Sequence, residues 1–188
     1  MSKQVEMVSI EALPHFEGDQ LEVVNEAVAV AEELASNAYK MSFAEWRSRR
    51  YDVKTLVDLF PEEVVNGPFA QIIRYMGRKA ETSLGSSTYD FYKICLQDHT
   101  ILSTLKGSPE LRLFPFSLYI VTHELIHVIR FTKFLQSFEA SLEEKMEEEA
   151  RVHEKTRAIL EPAPIGGLDV VFEFYKGWHG VVDLVRDV

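Results

Sequence analysis

The chain has 188 residues, 46% of them hydrophobic and 27% charged, enough for one domain with a genuine core and unlike a disordered chain. Its formal net charge of −10 disfavours partners held through neutralised phosphates, so no nucleic acid is expected. Cys95 is the single cysteine, which excludes an intrachain disulfide and any zinc site built on several thiolates. With no apolar signal core in the charged N-terminus and no apolar run long enough to span a bilayer, a cytoplasmic location without a membrane partner is expected.

In chain order, Leu21, Val24, Ala27, Val28, Ala31 and Leu34 recur at helical spacing, and 19–39 reads as a helix. Ser42 with Glu45 three residues on forms a capping box, starting a helix through Trp46, Tyr51 and Leu56 that ends before Pro61. Asn66-Gly67-Pro68 breaks the chain, and 69–80, ambiguous between the two states, is assigned to helix. A turn-rich loop at 84–88 leads into two β-prone runs, 91–96 and 100–105, separated by Gln97-Asp98-His99; they read as a β-hairpin.

Pro115 suits the first turn of the next helix, at about 116–135, whose stretch to Ile129 is apolar on almost every side and so belongs in the middle of the domain. Ser141 and Glu144 make a second capping box, opening a helix that Pro162 terminates. The tail, with Gly166-Gly167 and then 170–175, reads as irregular or a short strand. The whole is a single α+β domain over 1–188, predominantly helical. It divides into an N-terminal helical part (1–66), a core carrying the chemistry (84–160) and a C-terminal tail (161–188).

The chemistry lies on the buried helix. Polar groups there are costly to desolvate unless something compensates. His123 and His127, at i and i+4, project from one face and reach a single ion. Glu124 is rotated about 100° from His123, within reach of water at that ion. One spacing therefore supplies two neutral nitrogen ligands and a base beside the open position of a catalytic Zn²⁺.

A third ligand must come from elsewhere, and the following helix offers a crowd of acids. At about 100° per residue, with Leu142 at zero, Leu160 returns to zero, Met146 falls near 40°, Glu149 near 340° and His153 near 20°. Glu147 falls near 140°, on the wet side, and Glu148 near 240°, at the edge of the inner face. Glu149 is therefore the expected inward carboxylate and Glu148 the fallback. His153, one turn on, is a fourth ligand, a hydrogen-bond donor orienting Glu149, a group stabilising an oxyanion or an ordinary core histidine; orienting Glu149 is the default expectation.

These residues resemble the zincin metallopeptidases, and among them the gluzincins, the thermolysin-like group. The match is His123-Glu124-Leu125-Ile126-His127 on one helix and Glu149, 22 positions beyond His127, on the next. It covers 91–160. The resemblance implies a peptide or protein substrate, and a sheet before the motif helix whose edge strand binds extended substrate, a place taken here by the hairpin at 91–105. Where gluzincins have Asp four residues after the third ligand, this chain has His153. No motif marks the family's usual Tyr or His transition-state group; Tyr175 and His179 qualify by residue type alone.

Two other readings stay open. Glu124 with His127 is itself a Glu-x-x-His pair, as in ferritin-like di-iron proteins, with Glu149 and His153 as an imperfect second pair and Glu26 or Glu33 as further carboxylates. A non-catalytic interaction protein with a zincin-like core is the other, its aromatic tail (Phe172, Phe174, Tyr175, Trp178) serving as contact surface or core.

Overall fold

The computed structural model describes residues 12–48, 50–78, 88–135, 137, 139–177 and 185–187. Its elements are α1 (Asp19–Ala38), α2 (Phe43–Ser48), β1 (Tyr51–Lys54), β2 (Ala70–Arg78), β3 (Thr88–Leu96), α3 (Asp98–Gly107), α4 (Leu113–Thr132), α5 (Leu142–Leu160), α6 (Leu168–Gly177) and β4 (Val185–Asp187). The fold is α+β with helices in excess. The expected turn-rich loop at 84–88 lies, apart from Thr88 at the start of β3, outside the described residues.

At the centre is α4, buried at every position from Pro115 to Phe131. Two layers cover it. On one side α1 lays down Ala27, Ala31 and Ala35, all fully buried, and these small side chains at i, i+4 and i+8 let the two helix backbones approach closely. On the other is a mixed sheet of order β1-β3-β2-β4, with β3 antiparallel to β2 and parallel to β1. Tyr92, Ile94 and Leu96 of β3 turn to the helices, whereas Cys95, with Ile73 of β2, packs on Leu56 and Leu59 beneath the sheet. Among the described residues no helix is long and apolar enough to cross a membrane.

Four expectations are corrected. The segment assigned to helix at 69–80 is strand over 70–78, which form β2 (79 and 80 lie outside the described residues), and because Ala70 to Ile73 are buried on both faces the polar–apolar alternation of a one-sided strand is missing. The hairpin at 91–105 is half right. Its first run is β3, but 100–105 lies in α3, where Ile101, Leu102 and Leu105 have helical spacing. Buried Asp98 starts that helix while its carboxylate accepts the backbone N–H groups of Phe16 and Leu56, each at 3.0 Å, so Gln97-Asp98-His99 is a structural clasp instead of a turn.

The second helix is capped by Ser42 and Glu45 as expected but stops at Ser48. From Tyr51 the chain is strand, with Tyr51 and Val53 packed on the core and Asp52 and Lys54 paired at 3.0 Å. The tail at 170–175 is neither irregular nor strand: α6 buries Leu168, Val171 and Phe172 against α4. Gly167 at its start adopts φ +94°, and a Cβ there would lie 2.7 Å from the Arg112 guanidinium, so this position requires glycine.

Candidate metal centre

The α5 capping box forms as the sequence predicts, with Glu144 N–H on Ser141 Oγ (3.3 Å) and Ser141 N–H on Glu144 Oε2 (2.7 Å). The helical projection, however, placed the inner stripe wrongly. Leu142 and Met146 are 70% and 57% exposed, and the buried line is Glu148, Val152, Thr156 and Leu160, at i, i+4, i+8 and i+12. Apolar type misled the projection at the first two turns, where these side chains stay in solvent.

Glu148, the fallback ligand, is consequently buried but engaged elsewhere. It forms a two-pronged ion pair with Arg130 of α4 and a further contact with Arg151. A cation on an otherwise apolar helix demands an anion, and that demand on Arg130, unread in the sequence, is what claims Glu148.

Glu149, on the flank of the stripe, reaches the two histidines. His127 Nε2 lies 2.9 Å from Glu149 Oε1, His123 Nε2 lies 3.2 Å from Glu149 Oε2, and the two Nε2 atoms are 3.2 Å apart. The side chains of His123, His127 and Glu149 are 3%, 1% and 13% exposed, so this triangle is withdrawn from water. One ligand atom each from His123, Glu149 and His153 also fall within 4.8 Å of one another.

Burial alone would raise the Glu149 carboxyl, but the charges and hydrogen bonds of His127 and His123 outweigh it and hold the group well below the usual carboxylate range. The His153 imidazole is pushed down to about 3, by burial first and then by the charge on His123. The anionic form of Glu149 and the neutral form of His153, which these shifts favour, are the forms in which a carboxylate and an imidazole ligate a metal.

The donor set fits zinc. Four ligands held tetrahedrally at about 2.0–2.1 Å lie roughly 3.3 Å from one another. The separation of the two Nε2 atoms, 3.2 Å, is close to that value, and the carboxylate spans them, Oε1 lying 2.9 Å from His127 and Oε2 3.2 Å from His123. Nitrogen and carboxylate oxygen are ligands that zinc accepts in catalytic sites.

Glu124 is buried (2% exposed) on the neighbouring face of α4, and its charge reaches Cys95 of β3. That thiol, raised to about 12 chiefly by burial, is no nucleophile. Tyr175 is drawn to the centre: its ring stacks on Tyr119 (centroids 4.1 Å apart) and lies 5.3 Å from that of His153. His179 lies outside the described residues.

Tyr119 is a participant that sequence reasoning missed. Its hydroxyl and His153 Nδ1 are 2.9 Å apart, which leaves Nε2 as the second nitrogen of that ring. The signal was present, because Tyr119 precedes His123 by four residues and shares its face. Glu26 and Glu33, the carboxylates that a di-iron arrangement would need, are exposed on α1. Comparison with known proteins supplies no relative: no family model, no curated protein and no solved structure matches the chain.

Proposed function

We propose that this chain is a zinc-dependent hydrolase of amide bonds, a small metallopeptidase of the gluzincin type. The observation that carries the reading is the buried cluster of His123, His127 and Glu149, with the two Nε2 atoms 3.2 Å apart and each 2.9 to 3.2 Å from one oxygen of the carboxylate. Two imidazoles and one carboxylate are the protein ligands of a catalytic zinc that keeps one position open.

Zinc bound there supplies Lewis acidity, which acidifies water and polarises a carbonyl. The rest of the chemistry belongs to the chain. Glu124, buried next to His123 in sequence, takes a proton from the attacking water and returns it to the leaving nitrogen. Glu149 balances the charge of the site, and burial in α4 fixes both motif histidines against rotation.

One observation favours a second reading. His153 offers a ligand atom near those of His123 and Glu149, and with His127 this makes four candidate donors, the complement of a closed, structural zinc site. The two readings separate on the Glu124→Gln variant, assayed on a panel of acyl amides and short peptides. For a hydrolase, zinc content is unchanged and turnover falls by at least about 100-fold. Equal turnover in the variant and parent, or none in a zinc-loaded parent, contradicts the hydrolase.

A further inference from the structure

We propose that the substrate is a small N-acylated aromatic amino acid with a free carboxylate, and that it binds in the cleft between α4, α5 and α6 beside His153. This rests on the reading of the chain as an amide hydrolase and sets a single acylated amino acid in place of a peptide chain as its substrate.

Burial argues first. The motif histidines are 3% and 1% exposed and Glu149 13%, so among the described residues no open groove runs across the centre for an extended polypeptide. Beside it, however, is a cleft of about 200 Å³ whose wall includes His153 itself. That is smaller than the roughly 300–1,000 Å³ of pockets for drug-sized ligands, and it suits a single side chain with its acyl group.

The walls specify the side chain. Tyr119, Phe172 and Tyr175 line the cleft, with the Tyr119 ring 4.1 Å from Tyr175 and 6.2 Å from Phe172 between centroids. Three aromatic walls favour a ring through offset and edge contacts. The rim specifies the charge. Arg157 and Lys176 border the cleft, against one acid, Glu154. Among the described residues Arg157, its guanidinium 5.2 Å from the Phe172 ring centroid, pairs with exposed Glu161 at 3.4 Å, and Lys176 with exposed Glu173. Such surface pairs are worth little and exchange readily for a ligand carboxylate.

His153 joins the two places. It forms part of the cleft wall and also offers a ligand atom within 4.8 Å of those of His123 and Glu149. A carboxylate at Arg157 and a ring among the tyrosines would leave the acyl group on the His153 side of the cleft, where the metal centre begins. In the reaction, water oxygen bonds to the acyl carbon, the C–N bond breaks and the amine leaves with a proton. The products are an acyl carboxylate and a free aromatic amino acid.

The test is calorimetric titration of the intact protein, zinc-free and zinc-loaded, with N-acetyl-L-phenylalanine, its carboxamide and N-acetylglycine. The acid is expected to bind about 10-fold or more tightly than either analogue. Arg157→Gln, altering a side chain 42% exposed, should bring acid and amide level while thermal unfolding is unchanged. Lys176→Gln is the companion variant should Arg157→Gln misfold. Equal binding of acid and amide by the parent, or no binding of the acid, overturns the proposal. Preferential binding of the acid without release of acetate by the zinc-loaded protein upholds this pocket and overturns the hydrolase reading instead.

Discussion

His127 and Glu149, 22 residues apart in sequence and on different helices, meet at 2.9 Å between Nε2 and Oε1 inside the protein. Neither group has a reason to be buried on its own. Together with His123 they make a pocket in which a divalent cation would relieve the crowding of three donors.

The first prediction concerns that carboxylate. Glu149→Ala removes the carboxylate that would balance a bound zinc, so zinc affinity should fall by well over about 100-fold. His153→Gln removes the more distant donor and should cost about 10–100-fold, the range for a group that tunes or completes a site. Competition against a fluorescent zinc chelator measures both. Full zinc affinity in Glu149→Ala would assign the third ligand elsewhere.

Tyr119→Phe probes the missed residue. Losing the hydroxyl leaves His153 Nδ1 without its 2.9 Å partner and frees the ring to turn. Zinc affinity should drop by less than in His153→Gln, and the double variant should be no worse than His153→Gln alone. Additive losses would show that Tyr119 acts by another route.

A third prediction separates stability from function. The Arg130–Glu148 pair ties α4 to α5 with side chains 8% and 7% exposed. Removing one partner of a buried pair leaves the other charge uncompensated, at a cost of about 3–5 kcal/mol. Glu148→Gln should therefore shift the urea midpoint strongly downwards, and adding Arg130→Met should recover part of the loss. A midpoint unchanged in Glu148→Gln would mean that the pair contributes nothing.

Acid sensitivity should come partly from beneath the sheet. Burial would raise the Glu63 carboxyl, but Lys93 and Tyr75, each 2.5 Å from its Oε1, and the Phe60 N–H outweigh this and lower it. A carboxyl depressed in the folded state contributes stability above its unfolded value, about 4.3, and loses it as the pH falls through the folded value. Below about pH 4.3, unfolding free energy should fall less steeply in Glu63→Gln than in the parent. Parallel slopes would remove Glu63 from the acid transition.

The sequence made the centre of the molecule legible. A run apolar on almost every side, carrying two histidines and a glutamate, identified α4, and its i, i+4 histidines met as that spacing requires. Both capping boxes formed. Glu149 was reached by a projection whose stripe was misplaced, since Leu142 and Met146 are exposed and Glu148 is buried. What decided the matter was a tertiary contact, Arg130 with Glu148, that no single-helix projection contains. The strands were harder because the first half of β2 is buried on both faces, and α3 was hidden because Asp98 looks like a turn residue until Phe16 and Leu56 are brought to it.

The most direct test is elemental analysis of the purified parent chain after dialysis against zinc and removal of the excess. A centre made by His123, His127 and Glu149 should retain about one zinc per chain, and Glu149→Ala prepared alongside should retain far less. A parent chain that keeps no zinc, or that carries two irons in its place, would contradict the assignment.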